Sequence, residues 1–151
     1  MSTLRHGSKL KLKARGYIAS GEFNGNRAPQ HLQNQIVKAY CDANNLEFVL
    51  SRAEYWINGS TDCQLWAALN EGFCNIVFYS IWQLPNNRVK RREIYDHCFN
   101  NEITLHFAVE RLHTSLDDEL YAEIELLIQI YYQIYYDKNK YEYLAKLRCM
   151  L

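Results

Sequence analysis

Gly16-Tyr17-Ile18-Ala19-Ser20 runs into Gly21-Glu22-Phe23-Asn24-Gly25-Asn26-Arg27, and then into Ala28-Pro29-Gln30-His31-Leu32-Gln33-Asn34-Gln35. The first block reads as a short apolar strand and the second as a loop rich in Gly and Asn. The third reads as a helix with proline near its start, where the missing N–H is no loss. A strand, a polar loop and a helix in that order open an α/β fold, and ligands of open α/β sheets collect at the carboxyl ends of the strands. In eight residues, Ser20 to Arg27, the loop offers a hydroxyl, a carboxylate, amides and a guanidinium. The fold and the place of a polar site are legible here; the reaction is not.

Outward from this junction the pattern keeps alternating. The first strand spans Arg15–Ser20, and the first helix Pro29–Asn44, with Leu32, Ile36, Val37 and Tyr40 at helical spacing. Leu46–Ser51 is a second strand. Thr61–Glu71 is a second helix with Leu65, Trp66 and Leu69 on one face, capped by Ser60 or Thr61 and stopped by Gly72. Asn75–Ser80 is a continuous apolar run, as a central strand requires. Asn87–Asn100 is a third helix, Ile103–Val109 a fourth strand and Asp117–Leu147 a long last helix. The expectation is a doubly wound α/β fold with a mainly parallel four-stranded sheet, order 2-1-3-4, of resolvase or flavodoxin type. Residues 14–151 form one domain behind a basic tail, 1–13.

Composition narrows the function classes. Lys and Arg number 17 and so do Asp and Glu, so overall charge favours neither nucleic acid nor a membrane surface. The five cysteines, Cys41, Cys63, Cys74, Cys98 and Cys149, are widely spaced and form no C-x-x-C, which argues against structural zinc and for free thiols in a reducing cytoplasm. The N-terminal basic residues precede no apolar run, so no signal peptide is expected, and no stretch is long and apolar enough for a membrane span. Neither a metal nor a cofactor is expected.

The last helix has acidic residues at its start (Asp117, Asp118, Glu119, Glu123, Glu125) and basic ones at its end (Lys138, Lys140, Lys146, Arg148), as its dipole favours. Its apolar residues, from Leu120 to Tyr135, cover more than the one stripe that packing on a single sheet needs. A homodimer through residues 117–147 is therefore expected.

The candidate site is the rim at the ends of the first three strands. Ser20, Glu22 and Glu54 are the candidates for catalysis, although Ser20 as a nucleophile needs a base such as His31 within reach. Asn24, Asn26 and Arg27 open the first helix, where free N–H groups and a guanidinium suit an anion. Gln30, His31, Tyr55 and Gln83 complete the ligand-binding set. A phenol and amides suit sugar hydroxyls, and Tyr55 or Trp56 suits stacking on a sugar ring. The run Arg88, Lys90, Arg91 and Arg92 reads as a solvated helix face, and nucleic acid is not expected as a partner.

Two families enter at this point. The strand Gly16–Ser20, the helix with Gln30, the strand Asn75–Ser80 and the terminal helix resemble the catalytic domain of resolvase-type serine recombinases, over roughly residues 14–147. That resemblance implies a nucleophilic serine after the first strand, near Ser20. It also implies an arginine two residues earlier, where this chain has Ile18, and Asp-Arg-Leu-x-x-Arg after the third strand, where it has Trp82-Gln83-Leu84-Pro85-Asn86-Asn87. No helix-turn-helix follows the long helix before Leu151. The fold is expected to carry over and DNA cleavage and rejoining are not.

Gly16-Tyr17-Ile18-Ala19-Ser20, Phe23-Asn24-Gly25-Asn26-Arg27, Pro29-Gln30-His31-x-Gln33-Asn34, Tyr40-Cys41, Glu54-Tyr55, Tyr79-Ser80, Gln83-Leu84-Pro85 and Arg91-Arg92 resemble the short bacterial sporadic carbohydrate cluster proteins. That resemblance implies a cytoplasmic role in making or modifying surface carbohydrate, with a sugar, sugar-phosphate or nucleotide-sugar at the rim. The alternatives are a non-catalytic scaffold assembling through its tyrosine-rich helix and a degenerate serine recombinase.

Overall fold

The structure is a computed structural model that describes residues 12–22, 27–55, 62–114 and 118–150. The expected basic tail (up to residue 11), the caps Ser60 and Thr61, and Asn24, Asn26 and Trp56 lie outside the described residues. The chain divides into two compact units, Met1–Asp117 and Asp118–Leu151.

The first unit holds five strands: β1 Lys13–Ala19, β2 Glu47–Glu54, β3 Asn75–Phe78, β4 Thr104–Phe107 and β5 Leu112–His113. Three helices alternate with them: α1 Gln30–Ala43, α2 Cys63–Leu69 and α3 Arg88–Asn100. The sheet order is β2-β1-β3-β4-β5. The first four strands are parallel and keep the expected order, while β5 adds antiparallel to β4. The expectation of four strands is thus corrected to five. Two residues are too few to show an alternating pattern in sequence. β5 is held by Thr114, whose N–H donates to Leu105 O at 2.8 Å and whose hydroxyl accepts from Leu105 N at 2.9 Å.

Alternation along the strands sorts the core into two faces. On one face Ala14, Ile18 and Val77 meet Val37, Tyr40 and Cys41 of α1. On the other, Tyr17, Phe78 and Phe107 stand in register across β1, β3 and β4, with ring centroids 5.0 and 5.3 Å apart. Such aromatic neighbours add to their burial through edge and offset contacts. Beyond that row, Leu65 and Leu69 of α2 and Ile94 and Cys98 of α3 are buried. Burial pushes the Cys98 thiol up to about 12 and the Cys41 thiol up to about 11, so both stay protonated and act as apolar side chains.

The buried stripe of α1 is shifted by one residue from the sequence expectation. Gln33, Val37 and Tyr40 face inward, and Leu32 is exposed. The reason lies at the strand ends, where Gln33 has backbone groups to satisfy.

β1 and β2 run so close that only glycine fits at position 16. A Cβ there would lie 2.2 Å from Ser51 Oγ and 3.0 Å from Phe48 Cε2. The register between the two strands slips at this point, between Ala14 and Gly16. Arg15, at the slip, and Arg52 both grip Glu71, two residues beyond the end of α2, and Arg15 lies 4.7 Å over the Phe73 ring. The paired guanidinium groups lower the Glu71 pKa, working against the opposing effect of its burial, which is the largest single influence.

The second unit is one helix, α4, spanning Asp118–Met150. Leu126, Leu127, Ile130, Ile134, Tyr135 and Leu144 are exposed along it. No described helix is long and apolar enough to cross a membrane.

Candidate functional site

β1 and β3 are neighbours in the sheet, and their connections leave in opposite directions. The crevice at their carboxyl ends is the switch point of the fold, where an α/β sheet opens to a ligand. Two fully buried glutamines, Gln33 and Gln83, close the floor of this crevice. Gln83 Nε2 donates to Gln33 Oε1 at 2.7 Å. Gln33 Nε2 donates to Ala19 O at 2.7 Å and to Ala28 O at 2.8 Å, and Gln33 Oε1 accepts from Ala19 N at 3.1 Å. Gln83 Oε1 accepts from Tyr79 N at 3.1 Å and from Ser80 N at 3.4 Å. One amide pair therefore ties the end of β1, the entry to α1 and the end of β3. Buried backbone groups at the junction of the three segments thereby gain hydrogen-bond partners.

Above this floor lies a cleft of about 290 Å³, lined by Ser20, Arg27, Ala28, Pro29 and Gln30. Ser20 is placed by its N–H, which donates to Glu54 O at 3.0 Å and so extends the β1–β2 pairing by one residue. Arg27 Nε donates to Ser20 O at 3.0 Å, drawing the guanidinium across the mouth of the loop. Its terminal nitrogens have no partner among the described residues. Pro29 stands at the N-cap of α1 without a side-chain cap, and no acidic residue sits in the first turn. The positive end of the α1 dipole is therefore directed to this cleft uncompensated.

The expected site residues separate into three groups. Ser20, Arg27 and Gln30 come together in the cleft. Glu22, His31 and Tyr55 are exposed and do not line it. Glu54 and Gln83 are buried and hold the scaffold. Glu54 Oε2 accepts from Gln64 N at 2.9 Å, from Leu65 N at 3.1 Å and from the Tyr17 hydroxyl at 3.3 Å. The carboxylate thus caps the start of α2 from the end of β2, a position that the helix dipole favours.

Sequence reasoning passed over Gln33 as a site residue. Its signal was present: a glutamine in register with Val37 and Tyr40 on the apolar stripe of α1. It also passed over Ser80 and Glu110. The Ser80 hydroxyl donates to Glu110 Oε1 at 2.7 Å, and that carboxylate accepts from Ile81 N at 3.1 Å. Together they start the short 3-10 turn Ile81–Gln83 that carries Gln83 inward.

The places where a recombinase arginine would stand carry other roles here. Ile18 packs in the core with Val37 and Val77. Gln83 belongs to the amide pair. Asn87 caps α3 by accepting from Val89 N at 2.9 Å and Lys90 N at 3.1 Å. Among the described residues no group of three His, Cys, Asp or Glu side chains is arranged to hold a metal ion.

No family model matches the chain, and no curated protein matches it. The resemblance to carbohydrate cluster proteins thus finds no support. Solved structures do match. One is a resolvase family site-specific recombinase from Streptococcus pneumoniae, with a TM-score of 0.60 and 13% identity over 91% of this chain and 99% of that one. Another is the N-terminal catalytic domain of TP901-1 integrase, with a TM-score of 0.57 and 11% identity over 81% of this chain and 98% of that one. These neighbours overturn the expectation of a protein of carbohydrate biosynthesis. The fold of the chain is that of resolvase-type recombinase catalytic domains: a mainly parallel α/β sheet with a long C-terminal helix.

Proposed function

We propose that this chain is a resolvase-fold protein that binds a phosphate group in the Ser20–Arg27–Gln30 cleft and does not exchange DNA strands. The observation that carries the reading is Arg27, tethered by Nε to Ser20 O over a cleft into which an uncapped helix start is directed. A guanidinium beside a helix N-terminus suits a phosphate monoester or diester, through paired N–H donors and the dipole. The Ser20 hydroxyl and the Gln30 amide supply further polar contacts. Strand exchange is left out because Ile18, Gln83 and Asn87 occupy the arginine places, and developing charge on a scissile phosphate needs such groups together. The neighbours are a recombinase and an integrase domain, which makes a nucleic-acid backbone the first phosphate source to test. The free cysteines support a reducing, cytoplasmic setting.

The test is calorimetric titration of the full chain with a short DNA duplex, with a single-stranded oligonucleotide and with a nucleoside diphosphate. Binding of at least one probe, weakened about tenfold or more by Arg27→Ala, is expected from loss of a charge-assisted pair. A steep salt dependence with the duplex and none with the diphosphate would identify the backbone as the source. Binding that ignores Arg27→Ala would refute the site. A covalent Ser20–DNA adduct on suicide substrates would refute the exclusion of strand exchange.

A further inference from the structure

We infer that Tyr55 is a stacking platform for an unpaired nucleobase whose phosphate sits in the Ser20–Arg27–Gln30 cleft. The inference rests on the phosphate-site reading and deepens it: the ligand is a nucleotide unit with an open base face, either free or part of a single strand.

Strand register places the platform. Ala19 of β1 stands beside Glu54 of β2, and the Ser20 N–H donates to Glu54 O at 3.0 Å, so the pairing runs on past the end of β1. Tyr55, the residue after Glu54, is therefore set one strand spacing from Ser20 along the rim, about 4.8 Å between backbones. Glu54 turns to the face that carries Tyr17 and α2, where its carboxylate accepts from Leu65 N and from the Tyr17 hydroxyl. An extended chain alternates, so Tyr55 leaves β2 on the opposite face. That is the face on which Ala14 and Ile18 meet α1, and Ser20 follows them in the same alternation.

Exposure is the second observation. Tyr17, Phe78 and Phe107 are fully buried, whereas Tyr55 is 66% exposed and has no hydrogen-bond or ring partner among the described residues. Two chemistries thus lie side by side at the rim. Arg27 and the start of α1 suit a phosphate, and an open phenol ring suits a flat apolar face. A single nucleotide carries both groups, with a ribose to bridge them. A base inside a duplex has its two faces covered by its neighbours, so the platform selects unpaired bases. Stacking on an aromatic side chain holds such a base without reading its sequence.

The experiment is calorimetric titration of the full chain with ribose 5-phosphate, adenosine 5′-phosphate, a single-stranded oligodeoxyadenylate and a duplex. Adenosine 5′-phosphate should bind about tenfold tighter than ribose 5-phosphate, the gain from one stacked base. Tyr55→Ala should remove that gain and leave ribose 5-phosphate unchanged, while Tyr55→Phe should keep it. In proton NMR the base H2 and H8 signals should move upfield on binding to the wild type and not to Tyr55→Ala. Arg27→Ala should weaken both small ligands alike. Tighter binding of the strand than of the mononucleotide, falling steeply with salt, would support a single strand as the source; the reverse order would support a free nucleotide. Equal binding of the two small phosphates, with its dependence on Arg27 intact, would overturn the base platform and leave the phosphate site standing. Absence of binding by every phosphate, or binding indifferent to Arg27→Ala, would overturn both. Duplex binding that falls on Tyr55→Ala as far as strand binding does would overturn the selection of unpaired bases.

Discussion

Replacing Gln33 by leucine tests the central claim about the crevice floor. The leucine fits the volume roughly but makes none of the contacts, leaving Ala19 N, Ala19 O, Ala28 O and Gln83 Nε2 without the partner they have now. An unsatisfied buried polar group costs about 1–3 kcal/mol, and leucine recovers part of that by burial. Relaxation at the partly buried Ala28 carbonyl lets water replace one contact. The net expected loss is about 4 kcal/mol, a large share of the total for a domain of this size. Urea denaturation followed by tryptophan fluorescence measures it, with the slope checked to confirm that the unfolded state is unchanged. Gln83→Leu alone should cost about 2–3 kcal/mol, since it removes fewer contacts. The double variant should cost clearly less than the sum of the two, because the 2.7 Å contact between the amides is counted twice in that sum. A loss under 1 kcal/mol for Gln33→Leu, or strict additivity, would refute the amide pair as the tie between β1, α1 and β3.

Three further outcomes are expected. Gly16→Ala should destabilise the protein by about 1–3 kcal/mol in thermal unfolding, from its clash with Ser51 Oγ, whereas Ser51→Ala should not destabilise it, since that hydroxyl is buried without a partner. Glu54→Ala should lose about 2–4 kcal/mol in chemical denaturation, by stranding two N–H groups at the start of α2 and removing an acceptor of the Tyr17 hydroxyl. The third concerns His106, held neutral by burial and, to a lesser degree, by His113, with its pKa pushed down to about 4. One ring nitrogen is 2.8 Å from the Tyr40 hydroxyl and the other 2.9 Å from Asn75 Oδ1, so the neutral ring accepts from the former and donates to the latter. The unfolded state takes up its proton near pH 6.5 and the folded state only near 4, so stability is full above pH 6.5 and falls between the two, by up to about 3 kcal/mol. A pH series of melts should show that loss in the wild type and a flatter profile in His106→Gln.

The order of the first four strands and of the helices was legible because each of those elements shows an apolar run or a period of its own, whereas β5 is too short to do so. Asn75–Ser80 reads as a central strand from its continuous apolar run, and β3, Asn75–Phe78, is one, two residues shorter. The end of β2 was not legible. The strand continues to Glu54, but Arg52 and Glu54 look like loop residues until their tertiary partners, Glu71 and the start of α2, are in place. The same reason separates the candidate site from the observed one. Ser20, Arg27 and Gln30 are close in sequence, so the loop brings them together. Glu54 and Gln83 lie near the rim in sequence order, yet their functional groups turn to distant backbone N–H groups that no local pattern reveals. Gln33 was the reverse case: a polar residue on an apolar stripe, whose meaning appears only when the ends of β1 and β3 are seen side by side.

Among the described residues β2 stands at one end of the sheet, paired with β1 alone, and eight residues is long for such a position. An outer strand of this length offers backbone groups to any extended chain that meets it, although Leu50 O already accepts from Arg15 Nη1, and the Leu50 side chain, 65% exposed, adds an apolar contact at its centre. Its charges Glu47 and Arg52 discourage a second strand from joining, and Arg52 is already engaged with Glu71. Substitutions that neutralise Glu47 or Arg52 therefore have a second consequence beside any lost stability. They remove the guard on a growing sheet, and the yield of folded protein at high concentration becomes a matter of solubility before it becomes a matter of folding.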